Sequence, residues 1–284
     1  MSTIFNISDK IKLENNFQQL LLNNYSGAAA AYSLRRLDGQ YSGSAVRVRR
    51  ASDSAEQDIA FVNNELDTAT LENFASGTDA FVTTWYDQSG NGVDAENANA
   101  SSQPQIVSSG STILENGKPA ISFVGINAYL ATTGYIFEFS QNDVSAHIVK
   151  SASDNLSEDQ YMFSEQDADL PYSSQFIIGD TANSDAIIWF NLTEIGTMAS
   201  GQGLIGIEKN SSGLVSAYMN GSFSASASPT INVEQGNTTA FGTRVDFGTS
   251  FYNGLLQEVI TYKTDNSANR TGIETNINDF YNIY

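Results

Sequence analysis

AYSLRRLDGQYSGSAVRVRRASD, Ala31 to Asp53, and the later TWYDQSGNG, Thr84 to Gly92, are the stretches on which the fold turns. Within the first, Ser44 to Arg50 (SAVRVRR) alternates apolar and basic residues with period two, the pattern of a half-buried strand. Ala80 to Tyr86 (AFVTTWY) predicts a second strand that stops at the polar turn Asp87–Gly92, whose two glycines supply positive φ. Between them, Phe61 to Phe74 reads as helix or loop. Upstream, Ala28 to Leu37 (AAAAYSLRRL) has the helix propensity of a short second helix. Ser8 is a fitting N-cap for a first helix over 9–24, where Ile11, Leu13, Phe17, Leu20 and Leu21 recur near helical spacing.

Downstream of Ile106 the pattern is all-β. Strands are expected at Ala120–Phe123, Ser145–Val149, Tyr161–Ser164, Gln175–Ile178, Ala186–Phe190, Leu204–Lys209, Val215–Met219, Thr239–Phe241 and Gly254–Tyr262. Asn116-Gly117, Asn220-Gly221 and Asn253-Gly254 mark turns between several of them. Many short strands at regular spacing give a sandwich rather than a parallel sheet. With no internal repeat or linker, the chain divides into a helical segment, 1–26, and one β-sandwich domain, 27–284.

Composition narrows the function classes. The net charge is −19, from 32 acidic and 13 basic residues, which argues against nucleic acid and anionic membrane surfaces, since both need clustered Lys and Arg. There is no cysteine, so disulfides and thiolate metal sites are excluded, and a single histidine leaves too few ligands for the usual zinc sites. No run reaches the ~20 apolar residues of a membrane span. The opening MSTIFNISDKIKLENNF lacks the apolar stretch of a signal peptide.

The segments quoted at the outset resemble the opening of the α-L-arabinofuranosidase B catalytic domain, over about residues 25 to 125. The resemblance implies an all-β, concanavalin A-like (laminin G-like) jelly-roll β-sandwich and a carbohydrate substrate class. AYMNGSF, Ala217 to Phe223, looks like the strand–Asn-Gly–strand hairpin of laminin G-like sandwiches, and the C-terminal stretch resembles their last core strand and short helix. Relatives with the same opening recur in bacteriophage virion proteins. The family's Gly-Cys-Cys segment and the Gly-His-Met-Glu segment that carries its nucleophile have no counterpart here, so no catalytic residue carries over.

Several constellations invite a function. Asp87, Ser89, Asn91 and Gly92 match positions 1, 3, 5 and 6 of an EF-hand loop, but the twelfth is Ala98. That leaves an Asx-type turn, or a turn calcium site using Asp87, Asp94 or Glu96, calcium being the one cofactor the sequence keeps open. Tyr86, Asp87 and Asn91 are the expected glycan contacts, while Trp85 goes to the core. Arg35, Arg36, Arg47, Arg49 and Arg50 are expected to pair internally, with Asp53, Glu56 or Asp58 among the partners; the alternative is a clamp on a carboxylated sugar or an acidic neighbouring subunit. His147 alternates with Ala146 and Ile148 in a strand and reads as structural. Ile11, Leu13, Phe17, Leu20 and Leu21 either pack on the sandwich or dock to a neighbouring subunit.

The resulting expectation is a non-enzymatic virion protein: a head-decoration, fibre or tail-associated adhesin at the virion surface. Its partners would be other capsid or tail proteins, copies of itself in a homo-oligomer, and a glycan ligand. The alternatives are an arabinofuranosidase-like hydrolase, recognisable by two convergent carboxylates of which one has a raised pKa, and a capsid cement without sugar binding.

Overall fold

The computed structural model describes residues 20–123, 127–139, 143–152, 160–165, 176–180, 186–190, 193–197, 200–229, 238–244 and 250–284. Its strands pair in two antiparallel series. In one, Thr193–Thr197, Ala186–Phe190, Phe176–Asp180, Gln160–Glu165, Thr239–Phe241, Leu130–Thr132, Ala95–Glu96, Ala80–Trp85, Val46–Arg50 and Glu56–Ile59 follow edge to edge. In the other, Ser222–Ala227, Val215–Met219, Gly201–Lys209, Val144–Ala152 and Gly254–Tyr262 do the same, and Ala30–Ser33 and Ile121–Ser122 share the far edge of the last strand. Gln105–Ser108 pairs into both series and joins them.

The expected strands form, and alternation explains what lies between them. Along Val144–Ala152, Val144, Ala146 and Ile148 enter a core with Tyr32, Trp85, Phe163 and Phe241. Edge-to-face ring contacts of 5.2 Å (Tyr32–Phe241) and 4.8 Å (Phe163–Phe241) fill its centre, and Trp85 is wholly buried there as expected. Val149, on the other face of that strand, joins Leu204, Ile260 and Tyr262 beneath the C-terminal helix Arg270–Tyr281. Ile273, Ile277 and Tyr281 line one side of that helix and are buried; each apolar side chain sequestered in this way contributes up to about 1.5–3 kcal/mol.

Two local expectations change. Ala28–Leu37 is not a helix: Ala30–Ser33 is a strand paired with 258–261, and all four of its residues are buried. The helix preference of alanine amounts to less than about 1 kcal/mol per residue, less than burial of Tyr32 between Trp85 and Phe241 provides. Phe61–Phe74 resolves into a hairpin, Phe61–Val62 with Glu65–Leu66, and a helix Thr68–Ala75 capped by Asp67, whose carboxylate accepts from Thr70 N at 3.0 Å.

Most of the expected helix over 9–24, with Ile11, Leu13 and Phe17, lies outside the described residues. Leu20 and Leu21 are described and buried; Leu21 packs with Leu37, Ile273 and Ile277 of its own chain, in a short helix Leu21–Asn24.

Candidate functional site

The turn after Trp85 is organised around Asp87. One carboxylate oxygen accepts from Ala31 N (2.9 Å) and Ser89 N (2.9 Å); the other accepts from Ser89 Oγ (2.7 Å) and Val93 N (3.2 Å). Four donors on a side chain only 4% exposed fasten the turn to the strand Ala30–Ser33. Asn91 donates to the carbonyls of Ala28 and Ala29, each at 3.0 Å, and so faces its own chain. Asp94 accepts from Asp87 N at 2.8 Å, and burial, then Asp87, raises its pKa. Asp87 and Asp94, two of the residues expected to hold calcium, are therefore joined by Asp87 N–H, and the Asp87 oxygens already carry protein donors. Among the described residues no group of three acidic or histidine side chains is placed to hold a metal. Tyr86 is half-buried and donates to Asp58 Oδ1 at 2.8 Å.

The arginines pair largely inside the chain, as expected. Arg47 grips Asp58 bidentately (2.8 and 2.9 Å), and Arg50 grips Asp53 (2.9 and 2.6 Å). Arg49 reaches Gln103 and the Ala100 carbonyl. Arg35 is buried against Glu258, a pairing that no local sequence pattern signals. Its Nε and Nη2 donate to the two carboxylate oxygens at 2.7 and 2.8 Å, and Glu258 also accepts from Ser33 Oγ at 2.7 Å.

Hydrolysis of a glycoside calls for two carboxyl groups facing a substrate, one of them protonated. Four glutamates are buried among the described residues, and with Glu258 held by Arg35 three come into question. Glu165, at the end of its strand, accepts from Ile136 N (2.9 Å), Phe137 N (2.8 Å), Glu138 N (2.9 Å) and Thr239 Oγ1 (2.5 Å). Burial raises its pKa against the pull of those donors. It is 1% exposed, and its oxygens hold the backbone of 136–138 in place.

Glu208 and Glu274 lie between the sheet and the C-terminal helix. Ser145 Oγ donates to Glu208, and Arg270 pairs with Glu274 one turn away. Burial pushes Glu208 up to about 7 and raises Glu274, and each retains one buried oxygen without a hydrogen-bond partner. They meet the requirement of two carboxyl groups with a raised pKa, but at 6% and 2% exposure they are closed to a sugar. Gly206 beneath them makes the close approach feasible, since a Cβ there would lie 2.7 Å from Glu274 Oε1. His147, paired in register with Gly206, is fully buried; burial, then Arg270, holds it down at about 3, so it is neutral and structural.

The comparisons with known proteins point one way. Residues 23–167 match the family model of the catalytic domain of α-L-arabinofuranosidase B. No curated protein sequence matches. Among solved structures, a glutamate-to-glutamine mutant of a GH54 α-L-arabinofuranosidase soaked with 4-nitrophenyl α-L-arabinofuranoside has a TM-score of 0.72 at 13% identity, over 91% of this chain and 64% of its own. An arabinofuranosidase complexed with arabinofuranosyl-α-1,2-xylobiose has a TM-score of 0.63 at 15% identity, over 90% and 64%. A Trypanosoma rangeli sialidase carrying a 2,3-difluorosialic acid covalent intermediate is more distant: TM-score 0.53, 10% identity, 96% of this chain and 39% of its own. The chain thus spans just under two thirds of the arabinofuranosidases it resembles.

These findings correct the expectation of a non-enzymatic virion adhesin or decoration protein. The matching family model is that of a catalytic domain, and the GH54 neighbours are glycoside hydrolases; neither points to a phage protein. The missing Gly-Cys-Cys and Gly-His-Met-Glu segments are outweighed by a family match that extends over residues 23–167.

Proposed function

The chain belongs to the α-L-arabinofuranosidase B catalytic family, and from that premise we propose that it is a glycoside hydrolase releasing arabinofuranosyl residues from a larger saccharide. The observation that carries this is the family match over 23–167, which takes in both the arginine-rich strand and the Asp87 turn. The β-sandwich, alike to GH54 over 91% of this chain, supports it. Such a reaction passes through an oxocarbenium-like state. One carboxylic acid protonates the leaving oxygen; a second carboxylate attacks the sugar or activates water, at a carboxyl separation of about 5–5.5 Å for retention and about 6.5–9.5 Å for inversion. The buried Glu165, Glu208 and Glu274 are scaffold carboxyls in this scheme, so the reacting pair is drawn from other acidic residues.

The test is hydrolysis of 4-nitrophenyl α-L-arabinofuranoside by the purified full chain, read as released 4-nitrophenolate. Turnover that disappears on heating is expected. A cyclic sulfate inhibitor followed by peptide mass spectrometry then identifies any carboxylate that forms a covalent intermediate. No release from this substrate, and no arabinose from arabinan, anywhere between about pH 4 and pH 8 would refute the proposal.

A further inference from the structure

A cleft of about 480 Å³ opens between the hairpin Phe61–Leu66 and the C-terminal helix. Its volume is within the range of about 300–1,000 Å³ usual for small-molecule sites. Arg35, stacked 4.8 Å from the Phe280 ring, is neutralised by Glu258, and Glu65 is neutralised by Lys118 at 2.9 Å. Two ionic side chains of opposite sign remain on the walls, Arg36 and Asp279, and neither has an ion-pair partner among the described residues.

Asn63 and Asn64 hold the hairpin turn at φ of 52° and 66°, the left-handed conformation that asparagine tolerates, which places adjacent amides at the mouth. The Asn64 carbonyl accepts from Arg36 N at 2.8 Å and ties this turn to the arginine. The Arg36 guanidinium lies 5.5 Å from the Phe61 ring, and its Nε is buried with no acceptor. A buried donor left unpaired costs free energy, and the partly exposed Arg36 side chain can turn it toward a ligand oxygen that supplies the missing acceptor.

We propose that this cleft binds a neutral oligosaccharide without cleaving it. An anionic ligand would meet Asp279 and a cationic one Arg36, whereas a chain of sugar hydroxyls can donate to the carboxylate and accept from the guanidinium and the amides at once. With Glu65 held by Lys118, Asp279 is the one unpaired carboxylate among the described residues of the lining, and glycoside cleavage takes two. The site rests on its own geometry; only the choice of arabinan as first probe rests on the proposed hydrolase activity.

The experiment is affinity electrophoresis and calorimetry of the full chain with linear arabinan and arabinoxylan, and with polygalacturonate as the anionic counterpart. Two variants are compared with the parent. The double variant Asn63→Gly/Asn64→Gly removes both amides while keeping positive φ accessible, and Asp279→Ala removes an exposed helix carboxylate. The expected result is binding of a neutral polymer that weakens at least about tenfold in both variants. Thermal midpoints and the rate on 4-nitrophenyl α-L-arabinofuranoside should stay at parental values. Neutral polymers bound equally by parent and variants, bound by none, or displaced in favour of polygalacturonate would each overturn the proposal. Binding lost in the variants by a parent that hydrolyses nothing would uphold the cleft and refute the hydrolase instead.

Discussion

Glu208→Gln should stabilise the protein at alkaline pH and do nothing at acidic pH. Glu208 faces Ser145 from its neighbouring strand, Asp265 from the following loop, and Arg270 and Glu274 from the helix. Burial raises its pKa from 4.5 to about 7 in the folded chain. The folded state therefore binds the Glu208 proton more tightly than the unfolded state does. That contribution is fully present below the unfolded value, falls as pH rises, and is gone above the folded value. A separation of about 2.5 pH units at about 1.4 kcal/mol each amounts to about 3 kcal/mol. Glutamine retains an oxygen for the Ser145 hydroxyl and never ionises. Urea unfolding of parent and variant from about pH 4 to pH 9 should give free energies that coincide at the acid end. They should then diverge by up to about 3 kcal/mol, the variant being the more stable, with most of the change between about pH 4.5 and pH 7. Curves that run parallel across the whole range would refute an ionisable, strained Glu208.

Glu165→Ala should cost about 3–5 kcal/mol, because three backbone N–H groups at 136–138 and the Thr239 hydroxyl lose their common acceptor; chemical denaturation measures it, and a loss under about 1 kcal/mol would contradict the bonding described. Millimolar calcium should leave the thermal midpoint of the parent unchanged, since the Asp87 oxygens already hold four protein donors; a rise that grows with calcium concentration would show a site there after all.

Much of the fold is legible in the sequence wherever a strand has one wet face. Val46–Arg50 alternates buried and more exposed positions, and its apolar–basic pattern is visible without any structure. Ala30–Ser33 is buried along its whole length, so it shows no alternation, and alanines with a helical preference conceal it. The Asp87 turn is legible as an Asx-type turn from spacing alone, because its partners lie within seven residues apart from the strand it fastens. The Arg35–Glu258 pair is not legible: its partners are 223 residues apart and meet only through strand pairing. Glu165 is visible as one acidic residue among 32, and nothing local distinguishes it; the distinguishing fact is the backbone of 136–138 folded onto it.

The strand Gly254–Tyr262 is enclosed on both sides, by Ala30–Ser33 and Ile121–Ser122 on one edge and Val144–Ala152 on the other. During synthesis, a growing chain therefore carries an incomplete core until this strand leaves the ribosome, long after Ser33, which is 225 positions from Glu258. Until then Tyr32 and Ile148 belong to exposed, unpaired strand edges of the kind that aggregate. Contacts so distant in sequence also predict slow folding, on the scale of milliseconds to seconds or longer. Production of this sandwich should accordingly respond more to translation speed and chaperone supply than its completed core would suggest.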